Sequence, residues 1–195
     1  MYGDKYDLSV LIVSSSQKAE DYLRDILNGG SFAPIESAKS VSEAKRMQLE
    51  KQFDIVIINT PLPDDFGIEF AEQLCENSSV GVLLFVKNEL FEQISCKVEN
   101  YGVLTFPRPG SRQSITQAVR LIAATHNRLA AFERKAVKLE AKMKEIRLIN
   151  RAKWLLIDRF NMSEEEAHKY IEKTAMDSCV KRSEIAENII RTYES

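Results

Sequence analysis

The sequence predicts an α/β domain on a doubly wound parallel sheet, then a long coiled-coil helix and an all-α three-helix domain. Three observations predict it. Short, continuous apolar runs alternate with helix-period segments through the first hundred residues. From Ser111 onward there is no Pro or Gly, and an a/d apolar repeat takes over. A Ser-x-x-Glu spacing at Ser163–Glu166 then divides the tail. Each is a recognised signal: buried parallel strands are apolar on both faces, a seam repeating every three and four residues marks a coiled coil, and the Ser/Glu pair caps a new helix.

The strand candidates are Ser9-Val10-Leu11-Ile12-Val13, Asp54-Ile55-Val56-Ile57-Ile58, residues 80–86 and Val103-Leu104-Thr105-Phe106. Between them, residues 19–27 and 66–75 show helical spacing. In such a sheet function gathers at the carboxyl ends of the strands. Those ends are Ser14-Ser15-Ser16, Asn59, Val86-Lys87 and Arg108-Pro109.

The seam runs Ile115, Ala118, Ile122, Thr125, Leu129, Phe132, Ala136, Leu139, Met143, Ile146. Its first part, residues 115–122, is expected to dock as the last helix of the α/β domain. Beyond about His126 the repeat outlasts any domain face and predicts a parallel two-stranded coil, hence a homodimer. The tail reads as three helices: one through Ile149, Ala152, Leu155, Leu156 and Phe160, one from Ser163, and one marked by Ile185, Ala186, Ile189 and Tyr193. The predicted divisions are 1–124, 125–146 and 147–195.

Composition excludes several classes. The apolar runs are too short to span a bilayer and the N-terminus has no apolar signal core, so a cytoplasmic location is expected. Cys75, Cys96 and Cys179 are far apart, with no C-x-x-C and only two histidines, which leaves no disulfide framework or zinc spacing. No nucleophile–base pair, metal cluster or phosphate-cradling Gly loop indicates an enzyme, and no cofactor is expected. The net charge of −2 is unevenly spread: residues 1–111 carry −7, residues 112–146 carry +5 and the rest is neutral. A basic linker permits contact with a polyanion.

The stretch Phe53-Asp54-Ile55-Val56-Ile57-Ile58-Asn59-Thr60-Pro61-Leu62-Pro63, with Gly67 after it and Arg108-Pro109 after the last strand, resembles the receiver domain of response regulators. That family implies an acidic pair and an acceptor Asp around Mg²⁺, a hydroxyl after the fourth strand and a Lys after the fifth. Here Ser14 and Ser15 replace the acidic pair, Asn59 the acceptor, Val86 the hydroxyl residue and Arg108 the Lys. An amide forms no acyl phosphate, so the resemblance implies a pseudo-receiver without phosphorylation or Mg²⁺ binding, used for dimerisation or for contact with a regulatory protein or small molecule. Asp64 and Asp65, nearby, are expected to be solvated loop carboxylates.

The tail segments Arg151-Ala152-Lys153-Trp154-Leu155-Leu156-Ile157, Met162-Ser163-Glu164-Glu165-Glu166-Ala167, Ala175-Met176-Asp177 and Lys181-Arg182-Ser183-Glu184-Ile185-Ala186-Glu187 resemble the ANTAR domain. The resemblance implies binding to paired stem-loops in nascent leader RNA and prevention of terminator formation. Arg151, Lys153, Lys173, Lys181 and Arg182 are the candidate RNA contacts, and Lys169 shares a helix face with Lys173. Ala152, Ala167, Ala175 and Ala186 read as small core residues. Trp154, amid Leu155-Leu156, reads as a packing residue with stacking on a base as the alternative, Met176 as core filler, and His126 and His168 as solvent-facing. A DNA-binding regulator and a scaffold without nucleic-acid binding are the alternatives.

Overall fold

A computed structural model describes residues 8–193. The chain folds into two compact units, one ending at Ala131 and one beginning at Phe132.

The first unit alternates β1 (Leu8–Ser14), α1 (Gln17–Leu27), β2 (Phe32–Ala38), α2 (Val41–Glu50), β3 (Ile55–Asn59), α3 (Ile68–Asn77), β4 (Gly81–Lys87), α4 (Phe91–Val98) and β5 (Leu104–Arg108), and is completed by the first part of α5 (Arg112–Phe160). All strand pairs are parallel and the order is β2-β1-β3-β4-β5. Side chains alternate across the pleat. Leu11, Val13, Val56, Ile58, Leu84 and Val86 bury against Ala44, Phe70, Ile94 and Val98. Val10, Ile12, Ile55, Ile57, Leu83 and Phe85 bury against Leu23, Ile26, Ile115, Val119 and Ile122. With both faces covered, β1, β3 and β4 have to be apolar through their middles, as they are.

The strand β2 is absent from the sequence-based list because it lies at an edge. Its residues are half-exposed, and Pro34 and Glu36 interrupt any apolar run. Two glycines answer local demands. Gly67 has φ +89, and a Cβ there would meet Ile58 Cγ2 at 3.0 Å. At Gly81 a Cβ would lie 2.8 Å from Ile122 Cγ1, so the glycine lets β4 and α5 approach.

The structure corrects one expectation here. His126 is buried, 7% exposed, rather than solvent-facing. Its Nδ1 lies 2.9 Å from the Ser79 carbonyl oxygen and its Nε2 3.2 Å from Asp54 Oδ1. Asp54 Oδ2 in turn accepts from the Ser9 amide (2.8 Å) and hydroxyl (2.7 Å). This polar knot at the amino ends of β1, β3 and β4 pins α5 to the sheet. Asp64 is an exposed loop carboxylate, as expected, and it also caps α2, accepting from the amides of Val41 (3.0 Å) and Ser42 (2.8 Å) and from the Ser42 hydroxyl. Those backbone hydrogen bonds bring its carboxyl down to about 2. Asp65 accepts from the Gly67 amide. His168 is exposed, as expected.

The second unit contains the rest of α5, α6 (Glu164–Asp177) and α7 (Arg182–Tyr193). Asn161 ends α5 in the left-handed region (φ 50). Ser163 and Glu166 form the reciprocal capping box that opens α6. Cys179 (φ 53) closes α6, with the Val180 amide donating to the Ala175 carbonyl in a Schellman arrangement. The core is Ala152, Leu156, Ala167, Ile171, Ala175, Ile185, Ala186 and Ile189. The four alanines named from the sequence are all in it, and their missing side-chain bulk is what allows three short helices to approach.

Candidate nucleic-acid interface and strand-end site

At the carboxyl edge of the sheet, β1 and β3 are in register so that Ser14 lies beside Asn59, and Asn59 beside Phe85. Both polar residues are buried, and Asn59 Nδ2 donates to Ser14 Oγ at 2.9 Å. Where a receiver would gather carboxylates, these two side chains form a neutral amide–hydroxyl pair. Ser15 is exposed and Val86 is fully buried. Arg108, at the end of β5, donates from Nη2 to the Thr60 carbonyl, while its Nε is buried without a hydrogen-bond partner among the described residues. Burial lowers the Arg108 pKa from its ordinary value. Thr60 is held by its hydroxyl, which donates to the Phe85 carbonyl at 2.9 Å. A cavity of about 440 Å³ opens over these ends, lined by Tyr22, Leu23, Asn59, Phe85, Arg108 and Ile115 among others. Neither nearby acid is directed to Asn59 by its hydrogen bonds: Asp64 serves α2 and Asp65 the Gly67 turn. No group of three or more metal-ligating side chains occurs among the described residues.

In the second unit four of the five predicted cations, Arg151, Lys173, Lys181 and Arg182, are exposed. Lys153 is half-buried and pairs with Glu164 at 2.9 Å, and Arg182 pairs with Glu172 at 3.0 Å. Lys181, in the turn before α7, lies between two shallow grooves: one is shared with Lys144, Glu145, Leu148 and Glu187, the other with Glu172, Met176, Val180 and Arg182. Lys169 pairs with Glu165 at 2.6 Å, one turn earlier on α6.

Residues 137–190 match the ANTAR domain family. They take in all three helices of the second unit and the last part of the seam. The second unit of this chain carries an ANTAR domain. Transcriptional regulatory protein PdtaR, from two strains of Mycobacterium tuberculosis, is 23% identical over 187 residues, covering 94% of this chain and 89% of the relative. The first unit has the receiver fold. The signal receiver domain of an HD domain-containing protein from Pseudomonas fluorescens Pf-5 superposes with TM-score 0.60 at 15% identity, over 67% of this chain and 97% of that one. The chemotaxis response regulator CheY4 of Vibrio cholerae gives 0.52 at 18%, over 59% and 98%.

Within the ANTAR domain two sequence-based expectations fail. Trp154 is 69% exposed and Met176 76%, so neither is a packing residue. The phase of α5 explains Trp154. Ala152 and Leu156 face the core, and a residue two positions from either on a helix lies on the opposite side. That phase was readable in the sequence, but the neighbouring leucines drew Trp154 into the apolar set. Sequence reasoning also missed Glu164 and Glu172, which neutralise Lys153 and Arg182; ion pairs between helices leave no spacing signal. The seam residues Leu129, Phe132, Leu139, Met143 and Ile146 are each 47–61% exposed in the single chain.

Proposed function

We propose that this regulator is a cytoplasmic RNA-binding antitermination protein that grips paired stem-loops in nascent leader RNA as a homodimer and is not controlled by Asp phosphorylation. The ANTAR match over residues 137–190 carries the reading. The structure supports it with an apolar seam exposed along α5, where a second copy would bury it, and with Arg151, Lys173 and Lys181 exposed at the surface. The parts are a pseudo-receiver over about 1–124, a coiled-coil linker over 125–146 and the RNA-binding domain over 147–195. Two tails in one dimer suit an RNA with two adjacent loops, because the second contact becomes intramolecular. Specific RNA readers satisfy phosphates with Lys and Arg and take up unpaired bases.

The pseudo-receiver reading rests on the neutral Ser14–Asn59 pair. A hard cation needs carboxylate oxygens, and an amide nitrogen is no nucleophile toward a phosphodonor. The cavity beside Asn59 supports a small-molecule or protein partner as the input instead. No catalytic constellation, cofactor or membrane contact belongs to this reading. No helix among the described residues is long and apolar enough to cross a membrane.

The test is a titration of the full-length protein and a Lys173→Ala, Lys181→Ala, Arg182→Ala variant against a two-hairpin RNA at moderate salt. Each cation is expected to contribute about 1–3 kcal/mol, with Lys173 and Lys181 above Arg182, whose Glu172 partner offsets it. Equal affinity in a folded variant moves the RNA face elsewhere, and retention of duplex DNA alone favours a DNA-binding regulator.

A further inference from the structure

Trp154 is the chain's only tryptophan, and it stands on the outer side of a helix whose inner side is locked in the core. Its surroundings along α5 are unusual in composition. Arg147, Arg151, Trp154 and Asp158 are spaced by four, three and four residues, so they share one face. All four are exposed. The face therefore carries two guanidinium groups, then a broad aromatic surface, then a carboxylate.

A second copy of the chain is a poor occupant for it. Continuing the seam register past Ile146 brings Asn150 and Lys153 to the next a/d positions, so the apolar seam stops before Trp154. Lys153 is already engaged by Glu164 of its own chain. Duplex RNA is equally unsuited, because stacking on an indole needs a base free of its own neighbours. Two arginines within two turns of an exposed aromatic ring match the chemistry of a single-stranded loop, which offers phosphates and π-faces together.

We propose that Trp154 is a stacking platform for one unpaired base of an RNA loop, with Arg151 and Arg147 meeting the phosphates on its N-terminal side. The inference rests on the RNA-binding reading above and gives that site a residue and an orientation. Asp158 repels phosphate and accepts from base N–H donors, so the sugar–phosphate strand leaves the ring toward Arg147 rather than toward Asp158. The ring sits on a helix, already ordered, so little side-chain freedom is lost when a base stacks.

A lone tryptophan lets its own emission report the site in the intact protein. The probe is a two-hairpin RNA selected from a randomised-loop library for binding to the full-length dimer. Its affinity is read from a label on the RNA, and Trp154 emission is recorded in the same titration. Saturable quenching at the same midpoint is expected, and it should vanish when the loops are annealed to complementary strands. Trp154→Ala should weaken binding by about 5- to 150-fold, and Trp154→Phe by much less, since Phe keeps a π-face. Arg147→Ala should steepen neither effect but should reduce the salt slope. Binding that leaves the emission unchanged, or a folded Trp154→Ala variant of wild-type affinity, overturns the platform and leaves the RNA reading intact. Emission already blue-shifted in the RNA-free dimer overturns it too, because the partner copy then covers the ring. A library that yields no binder removes the RNA-binding reading itself.

Discussion

The strand-end site of the receiver unit and the cation face of the ANTAR domain were both located from residue spacing, and they came out differently. At the strand ends Ser14 and Asn59 are neighbours and in hydrogen-bond contact, as their positions after two apolar runs imply. In a parallel doubly wound sheet the carboxyl ends of the strands line up along one edge, so residues that end adjacent runs become neighbours. On the helices, spacing fixes which residues share a face but not what lies across from that face. Lys153 and Arg182 accordingly turned out to be paired with Glu164 and Glu172, while Lys173 and Lys181 are exposed. Sheets specify partners; helices specify only sides.

The largest effect that separates the two units is expected at the seam. Leu139→Lys together with Met143→Lys should weaken the dimer by about a thousandfold or more, since each apolar side chain is worth about 1.5–3 kcal/mol when buried. Sedimentation should show a monomer, and hydrogen exchange in the receiver unit should be unchanged. A variant that stays dimeric places the interface in the receiver unit.

Next is the knot on α5. His126→Ala removes the side chain that meets both the Ser79 carbonyl and Asp54 and opens a cavity, at a cost of about 2–3 kcal/mol. Exchange should accelerate in β1, β3 and β4 but not in α6 or α7. Any truncation meant to isolate the receiver unit should therefore end beyond His126. One stopping after Thr125 should be less stable than one ending at Ala131.

A smaller effect is expected in acid. Burial raises the Glu20 carboxyl, but hydrogen bonds from Lys39, Ser37 and Arg24 outweigh it and bring the group from 4.5 down to about 2. Asp64 falls from 3.8 to about 2. Folded values below the unfolded ones mean the stabilisation is complete above about pH 4.5 and is lost as pH falls toward 2. Denaturant melts between pH 5 and 2 should show that slope in the receiver unit, and Glu20→Gln with Asp64→Asn should flatten it.

The smallest expected effect is none. A small phosphodonor with Mg²⁺ should leave the intact mass unchanged. A stable phosphoryl increment mapping near Asn59, Asp64 or Asp65 would mean that the site has kept its chemistry.

The legible parts of this molecule are those where burial is two-sided or where a side chain caps a helix. The strands β1, β3 and β4, the Ser163 capping box and the four core alanines could all be read directly. The edge strand β2 was not, since Pro34 and Glu36 break its apolar run. His126 was misread because its partners, Ser79 and Asp54, are 47 and 72 residues away in sequence, and no local pattern announces a polar side chain satisfied at that distance. Trp154 and Met176 were misread because hydrophobicity was allowed to overrule helical phase.

The knot at Asp54 also has a consequence in time. A chain made from its N-terminus completes β4 at Lys87, yet Ile115, Val119, Ile122 and His126, which close the second face of the sheet, come some 40 residues later. At about 5–20 residues per second, that part of the apolar face stays uncovered for about 2–8 s of synthesis. Until then Asp54 can hold only the Ser9 end of its network. The moment at which this protein exposes that apolar face thus falls before the exposed seam of α5 has been made.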